Sequence, residues 1–275
     1  MTEYSGYEFI RLEVADNIAT LTMARPSVLN AMNEGMHAEI VNAVERVGSS
    51  DEIRALVITG EGKGFSTGED IKELSERNRR LASQSSTAVQ GLPRKVAVTP
   101  LALRRLEIPV IAAVNGVCAG AGFGLVYMSD LRLASRSARF LEVYVRRGFP
   151  PSSGPWFLSR MIGPTKTAEM VLLGDELNAE EAFKLGLVNK VVDDEDLLSE
   201  AQALARRIAG APGTTVRLSK YLLQRALDLP LDDYLKEGSF VRGYARAATR
   251  EAIEGADSFW TRRDSASTAS GAQKV

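Results

Sequence analysis

The chain has 275 residues, of which 45% are hydrophobic and 25% charged, a balance typical of one large globular domain with an appendage. Its 34 lysines and arginines against 35 aspartates and glutamates leave a net charge of −1, so no basic excess favours nucleic-acid binding. No apolar run reaches the roughly 20 residues that span a bilayer, and the N-terminus is too polar for a secretory signal. We therefore expect a cytoplasmic protein with no nucleic-acid partner and no membrane insertion.

Single copies of cysteine and histidine limit the chemistry further. Cys118 cannot form an internal disulfide, and one histidine, His37, disfavours a His-rich metal site or a Ser-His-Asp triad. We expect no metal. His37 lies in the middle of a predicted helix, where a packed or surface role is the more common one, so it is left out of the candidate site.

Alternating apolar residues predict a β-hairpin over residues 9–24, with its turn at Asp16 and Asn17. Apolar residues at helical spacing predict an amphipathic helix over residues 33–47. Short apolar runs alternating with helical patterns predict buried parallel strands in an α/β core. These runs lie at residues 55–59, 110–114, 131–134 and 190–192.

The domain organisation is expected to have three parts. Residues 1–194 form the α/β core, residues 195–263 form a C-terminal helical region, and residues 264–275, rich in Ser, Ala and Gly, form a flexible tail. Between Arg77 and Pro100 the sequence turns polar and irregular, which predicts a mobile excursion from the core.

Two glycine-rich segments follow the two strongest predicted strands. The first is GEGKGFSTGEDIKEL at residues 60–74, and the second is VNGVCAGAGFGL at residues 114–125. Glycine lets backbone approach a ligand, and a helix start offers unpaired N–H groups to a developing oxyanion. Neither segment has the spacing of a dinucleotide or nucleotide-phosphate loop. Either both are ordinary strand-to-helix turns, or they converge on one ligand.

Taken in order, motifs over residues 8–263 resemble those of the crotonase superfamily, also called the enoyl-CoA hydratase/isomerase family. The matching segments include ARPSVLNAM at 24–32, FSTGEDIKEL at 65–74, IPVIAAVNG at 108–116 and EGADSFWTRR at 254–263. The resemblance implies a crotonase-like α/β spiral of ββα units with a C-terminal helical trimerisation region. It also implies a homotrimer or dimer of trimers, and an acyl-CoA substrate in which CoA is part of the substrate and no separate cofactor is needed.

The resemblance also implies the site. In this family the thioester oxygen accepts two backbone N–H bonds that stabilise an enolate-like intermediate, and the matching positions are Glu69 and Ala121. We expect the pantetheine arm between residues 25–30 and 66–68, with basic residues such as Arg25 or Lys72 near the phosphates. The substrate-binding residues implied are Arg25, Val28, Ser66, Gly68, Asp70, Ile71, Gly120, Gly124 and Val143.

The chain departs from the family where the hydratases carry two glutamates. Gly124 and Tyr144 occupy those positions, and Ser152 or Ser153 occupies a third position where other members carry an acid. A missing general acid or base commonly costs 10²- to 10⁴-fold in rate, so hydration is expected to be poor. Isomerisation, decarboxylation and hydrolysis remain open, as does the alternative of a catalytically silent acyl-CoA-binding or scaffold protein.

Other side chains are candidates to replace the missing acids. We expect Tyr144 to orient the acyl group through its hydroxyl and Glu69 to move the proton. Glu142 is the second choice, because period-2 alternation in an extended stretch would put it on the face of Tyr144. In the alternative, Glu69 serves only the helix N-terminus and Tyr144 only fills the pocket.

Overall fold

The computed structural model describes residues 2–82 and 98–248. Their contacts divide the chain into two compact units, the first ending at Ala209 and the second beginning at Gly210. The predicted tail at 264–275 and the motif at 254–263 lie outside the described residues.

Two sheets are formed by the described strands of the first unit. Numbered along the chain, the strands are β1 (Thr2–Tyr4), β2 (Ile10–Ala15), β3 (Ile18–Met23), β4 (Ala55–Gly60), β5 (Gly64–Ser66), β6 (Val110–Val114), β7 (Val117–Ala119), β8 (Leu131–Ser135), β9 (Arg139–Leu141), β10 (Glu176–Asn178) and β11 (Lys190–Val192). One sheet has seven strands in the order β1-β2-β3-β4-β6-β8-β11, and the other has four in the order β10-β9-β7-β5.

The larger sheet confirms the strands predicted from apolar runs. β2 and β3 form the predicted hairpin, and its two-residue turn has positive φ at Asp16 (52°) and Asn17 (62°), as a tight hairpin turn of this kind requires. The pairs β3–β4, β4–β6, β6–β8 and β8–β11 are all parallel. Because parallel strands end at one edge of a sheet, the segments that follow β4 and β6 emerge side by side.

The smaller sheet was not predicted, and it arranges the two glycine-rich segments. β5 lies inside the first segment and β7 inside the second, and they pair in parallel with Ser66 opposite Cys118. β9 pairs with β7 in parallel, bringing Leu141 opposite Ala119. The segments that follow β5, β7 and β9 therefore begin next to one another at the same edge of the smaller sheet.

Ten helices lie within the described residues. They are α1 (Glu34–Gly48), α2 (Ile71–Ala82), α3 (Val98–Arg105), α4 (Ala121–Tyr127), α5 (Gly154–Met161), α6 (Pro164–Leu173), α7 (Ala179–Lys184), α8 (Leu197–Ala209), α9 (Gly213–Arg225) and α10 (Leu231–Ala248). None of the helices in the described ranges is long and apolar enough to cross a membrane.

Helix α1 confirms the predicted amphipathic helix. Its buried residues are the five expected from the periodicity, and the side chain of Asn33 caps it by accepting a hydrogen bond from Met36 N at 2.8 Å. The buried five are Met36, Ile40, Ala43, Val44 and Val47.

Two boundaries differ from the sequence interpretation. Arg77 lies within α2 and Pro100 within α3, so both ends of the predicted excursion are helical. Its centre, residues 83–97, lies outside the described residues.

Helix α8 was assigned above to the C-terminal region. It buries Leu197, Ala201 and Ala205 in a cluster with the large sheet. Burial of this apolar face makes α8 part of the first unit.

The second unit contains the helix pair α9 and α10, which contact each other. Arg225 on α9 and Glu237 on α10 lie 3.4 Å apart as an ion pair. Several large apolar side chains of this pair are exposed in the single chain: Leu223, Leu231, Leu235, Phe240 and Tyr244.

Candidate functional site

The two glycine-rich segments meet in direct backbone contact. A Cβ on Gly68, where φ is +86°, would lie 2.7 Å from the carbonyl oxygen of Ala119 and 3.0 Å from the backbone nitrogen of Ala121. A Cβ on Gly122 would lie 2.5 Å from the carbonyl oxygen of Ser66. These positions need glycine, because real Cβ atoms do not approach backbone so closely and because φ at Gly68 is left-handed.

Two unpaired N–H groups lie at this contact. Among the described residues, the backbone N–H groups of Glu69 and Ala121 donate to no protein acceptor, whereas those of Asp70 and Gly120 do. Asp70 N donates to Met32 O at 2.9 Å, and Gly120 N donates to Leu141 O at 3.1 Å. Two adjacent free donors on fixed loops are chemically suited to bind one negatively charged oxygen.

A buried hydroxyl holds the first loop in shape. Ser66 Oγ donates to Asn30 O at 2.7 Å and accepts from Gly68 N at 3.2 Å, while Thr67 N donates to Leu29 O at 3.1 Å. Residues 29–30 and 66–67 are therefore hydrogen-bonded directly to each other, and the position of the pantetheine arm at these segments stays a prediction. Ser66 is fully buried and supports the loop instead of presenting its side chain to a ligand.

A cleft of about 220 Å³ opens beside this contact. It contains four of the predicted site residues, together with Lys72, which was expected near the phosphates, and Arg147, which sequence reasoning missed. Its lining residues are Val28, Ala31, Thr67, Glu69, Asp70, Ile71, Lys72 and Arg147.

Arg25 forms an ion pair with Asp70, which lines the cleft. Its Nη1 lies 3.1 Å from Asp70 Oδ2 and 2.5 Å from Ala31 O. Burial alone would raise the pKa of Asp70, but the hydrogen bond and charge of Arg25 together with the backbone N–H groups of Lys72 and Glu73 lower that pKa. The guanidinium is thus already engaged in fixing the loop, which makes it a weaker candidate for a phosphate contact.

The Glu69 side chain lies in the cleft next to a residue that sequence reasoning excluded. Its Oε1 is 3.3 Å from Nε2 of His37. Burial raises the pKa of Glu69, but the contact with His37 and the charge of Arg77 more than compensate, and its pKa is lowered. Glu69 is therefore an ionised carboxylate at neutral pH. No local sequence signal marks His37, because the contact joins α1 to a distant loop.

Tyr144 and Val143 lie against the second loop. A Cβ built on Gly120, where φ is +52°, would lie 3.4 Å from Val143 Cγ2 and 3.8 Å from the Tyr144 hydroxyl. The extended stretch expected here is wrong: β9 ends at Leu141, and Tyr144 has φ −59° and ψ −44° as it enters a short 3-10 turn. Period-2 alternation therefore does not relate Glu142 to Tyr144.

Glu142 is a buried carboxyl group without a described hydrogen bond. It is 0% exposed, and within the described residues neither carboxylate oxygen has a hydrogen-bond partner. Burial raises the pKa of Glu142 to about 8, so the group is mostly protonated at pH 7. Burial also raises the pKa of Tyr144, and the charges of Glu142 and Glu69 raise it further. The Tyr144 hydroxyl is therefore neutral and lies near two carboxyl groups.

Packed groups surround Gly124 and Ser153, two positions at which the resemblance implies a family acid. Gly124 is buried, and a Cβ there would lie 3.2 Å from Pro100 Cγ and 3.5 Å from the Tyr127 hydroxyl. Ser153 Oγ lies 2.7 Å from that same hydroxyl. These groups carry no carboxylate. The two acids that line the described cleft are Glu69 and Asp70, and Asp70 is held in an ion pair by Arg25.

Comparison with known proteins agrees with this geometry. The enoyl-CoA hydratase/isomerase family matches residues 13–268. The 1,2-epoxyphenylacetyl-CoA isomerase of Escherichia coli is 37% identical, over 93% of this chain and 97% of its own. The crotonyl-CoA hydratase of Syntrophomonas wolfei is 34% identical, over 94% of this chain and 97% of its own.

Solved structures show the same fold. A crystal structure of enoyl-CoA hydratase subunit I from Geobacillus kaustophilus superposes with a TM-score of 0.85 at 34% identity, covering 94% of this chain and 97% of that chain. The α/β fold, the family match and these relatives agree. This chain therefore belongs to the enoyl-CoA hydratase/isomerase family, the crotonase superfamily, as an enzyme acting on acyl-CoA thioesters.

Proposed function

We propose that this enzyme is an acyl-CoA isomerase that works through a thioester enolate bound by the N–H groups of Glu69 and Ala121. The observation that carries the proposal is the pair of unpaired donors held side by side by the contact of Gly68 with the second loop. Each donor of this kind is typically worth about 2.7 to 4 kcal/mol in the transition state. Because main-chain groups supply the two hydrogen bonds, binding of the thioester oxygen does not depend on the side chain at either position.

Proton transfer between two carbons fits the available side chains better than hydration. Syn-addition of water needs two groups that handle water and proton, and Gly124 and Tyr144 supply no carboxylate for that purpose. Isomerisation needs a base that removes an α-proton and a group that returns it elsewhere. Glu69 is an ionised carboxylate in the cleft. The Escherichia coli relative, named as an isomerase of an epoxide-bearing acyl-CoA, supports isomerisation of an acyl-CoA in the broad sense.

In the proposed sequence, a Glu69 oxygen accepts the α-proton and the negative charge moves to the thioester oxygen. The double bond then shifts as Glu69 returns the proton to a carbon further along the chain, which regenerates the Glu69 carboxylate. The Tyr144 hydroxyl orients the acyl group and stays neutral. No atom is gained or lost, in keeping with an isomerisation.

The active assembly is proposed to be a homotrimer or a dimer of trimers. The exposed apolar side chains of α9 and α10, including Leu235 and Phe240, support burial against another chain, because an apolar helix face is unfavourable in water. Light scattering at micromolar concentration tests this, and a single 29.8 kDa species would contradict it.

A panel of acyl-CoA thioesters in D₂O tests the reaction. We expect 3-hexenoyl-CoA to be converted to the conjugated 2-enoyl isomer with deuterium incorporated, as followed by proton NMR. Crotonyl-CoA, a malonyl-type thioester and a saturated thioester test hydration, decarboxylation and hydrolysis. Faster turnover of one of these would overturn isomerisation, and binding with neither turnover nor exchange would indicate the silent protein considered above.

A further inference from the structure

Three side chains connect the protein interior to the cleft. The Thr99 Oγ1 on α3 lies 2.8 Å from Nδ1 of His37 on α1, and Nε2 of the same imidazole lies 3.3 Å from Oε1 of Glu69. Thr99 is buried, whereas Glu69 lines the cleft. The imidazole therefore bridges a buried hydroxyl and the carboxylate beside the two free N–H groups.

We propose that His37 is a positioning residue for Glu69: braced by the Thr99 hydroxyl, it directs its Nε2–H to the Glu69 carboxylate and keeps that carboxylate aimed into the cleft. The inference rests on the proposed function, in which Glu69 is the base. It adds a residue that the resemblance does not supply and that the sequence interpretation excluded.

The proton positions follow from what each partner offers. A carboxylate only accepts hydrogen bonds, so the imidazole nitrogen that faces Glu69 carries the hydrogen. In a neutral imidazole the other nitrogen is then an acceptor, and the hydroxyl of Thr99 donates to Nδ1. Thr99 thereby selects the tautomer that Glu69 requires.

Burial gives an independent reason for the pairing. Nε2 of His37 is buried and has no well-aligned hydrogen-bond partner within the residues described, and Glu69 Oε1 lies at 3.3 Å. A buried N–H without an acceptor is unfavourable, so the imidazole favours rotation of the Glu69 carboxylate toward it. Catalytic hydrogen bonds are often long in a free enzyme and shorten when substrate binds.

The electrostatic surroundings of Glu69 come from three elements. His37 faces it from α1, Arg77 from α2, and Tyr144 from the turn after β9. Partial burial of Glu69 raises its pKa, while His37 and Arg77 lower it. The other charged groups on the same cleft are Asp70, Lys72 and Arg147. Removing His37 takes away the hydrogen bond that lowers the pKa of Glu69 and leaves the charge of Arg77 acting on that carboxyl.

The inference predicts a specific kinetic signature. Without His37 the carboxylate loses its fixed orientation, and small displacements of a reacting group cost up to about 10²-fold in rate. The pKa of Glu69 also rises, so the acidic limb of the pH–rate profile moves to higher pH. Substrate affinity stays close to that of the wild type, because the two backbone N–H groups are untouched.

The experiment compares three substitutions in the full-length enzyme, with 3-hexenoyl-CoA as the probe. For His37→Phe we expect kcat to fall about 10- to 100-fold, KM to change less than about twofold, and the acidic limb to move to higher pH. His37→Gln keeps an N–H donor and is expected to recover most of the rate. Thr99→Val keeps the shape of the side chain, removes the donor to Nδ1, and is expected to give an intermediate rate.

A spectroscopic measurement tests the contact without activity. His37 is the one histidine of the chain, so its imidazole gives a single set of ¹⁵N signals. We expect the Nε2–H tautomer in the wild type and a mixture of tautomers in Thr99→Val. Glu45→Gln, an exposed position on the same helix, serves as the control and should leave the rate and the tautomer unchanged.

Two results would overturn the inference. One is a His37→Phe variant that folds and keeps the wild-type kcat and acidic limb, and the other is an Nδ1–H tautomer in the wild type. If His37→Phe does not fold, His37→Gln and Thr99→Val decide the question. A wild type that isomerises none of the probes would instead contradict the proposed function, while the tautomer of His37 would still confirm or refute its contact with Glu69.

Discussion

The α-carbon of Gly68 packs so closely on the second loop that an added Cβ would lie 3.0 Å from the amide nitrogen of Ala121. This contact sets the spacing of the two unpaired N–H groups, because Glu69 directly follows Gly68. We expect Gly68→Ala to push the loops apart and lower kcat by at least about 10²-fold, the effect of losing one such donor. Steady-state kinetics with an active acyl-CoA checks this.

Gly186→Ala is the matched control for that substitution. Gly186 also has a positive φ (+77°), but nothing lies within 4 Å of a Cβ built there. Both variants should lose about 1 kcal/mol or more of unfolding free energy from backbone strain, and only Gly68→Ala should lose activity beyond that. Equal losses of activity would contradict a special role for the loop contact.

The carboxylate of Glu69 and the hydroxyl of Tyr144 are both expected to act on the acyl group of the substrate. Glu69→Gln removes the proposed base but keeps the backbone N–H, so kcat should fall about 10²- to 10⁴-fold with little change in KM. Tyr144→Phe should lower kcat by a smaller factor, because it removes one neutral hydrogen bond. If both folded variants turn over like the wild type, the proposed roles of the two side chains are wrong, and only the pair of backbone N–H groups remains as the proposed site.

Glu142 makes stability depend on pH. Its pKa is about 8 in the folded protein and about 4.3 when unfolded, so between these values the folded state binds the extra proton. Stability therefore falls as pH rises through this window, by about 1.4 kcal/mol per pH unit, and levels off above the folded pKa. Glu142→Gln should remove this slope and become increasingly more stable than the wild type from pH 5 to 8.

Urea denaturation at pH 5, 6, 7 and 8 measures the difference between wild type and Glu142→Gln. The control is Glu45→Gln, because Glu45 is exposed and its replacement should leave the slope in place. A constant difference between Glu142→Gln and wild type across this range would show that the carboxyl is ionised when folded.

The parts of the fold that sequence predicted are those specified by local signals. Asp16 and Asn17 accept positive φ in a two-residue turn, and the spacing from Met36 to Val47 places one helix face in the core. The strands β4, β6, β8 and β11 are recognisable because buried parallel strands are continuous apolar runs.

The parts that sequence did not predict depend on contacts between distant residues. β5, β7, β9 and β10 have three residues each, too few for a periodicity signal, and two of them lie inside glycine-rich segments. The Thr99–His37 contact spans 62 residues, and the burial of Glu142 comes from packing around Gly154. Pairing and burial of this kind are tertiary properties that a single sequence does not display.

Introducing glutamates at positions 124 and 144, where the resemblance implies the acids of the family hydratases, tests the reason for excluding hydration. We expect crotonyl-CoA hydration to be weak or absent in the wild type and to rise in Gly124→Glu combined with Tyr144→Glu. The gain should be limited, because a Cβ at position 124 would lie 3.2 Å from Pro100 Cγ. Hydration by the wild type at an ordinary kcat of about 1 to 10³ s⁻¹ would show that another residue supplies the acid.

Arg147 and its neighbour Arg146 offer a matched test of where the CoA phosphates bind. Arg147 lines the cleft with Lys72, whereas Arg146 is held outside it by Asp175 at 2.9 Å. We expect Arg147→Gln to weaken CoA binding about two- to fivefold, the effect of one exposed charge pair, and to reduce the salt dependence of the dissociation constant. Arg146→Gln removes the same charge from the adjacent position and should leave calorimetric CoA affinity unchanged. Equal losses in the two variants would indicate a general field of positive charge, and no loss at Arg147 would place the phosphates elsewhere.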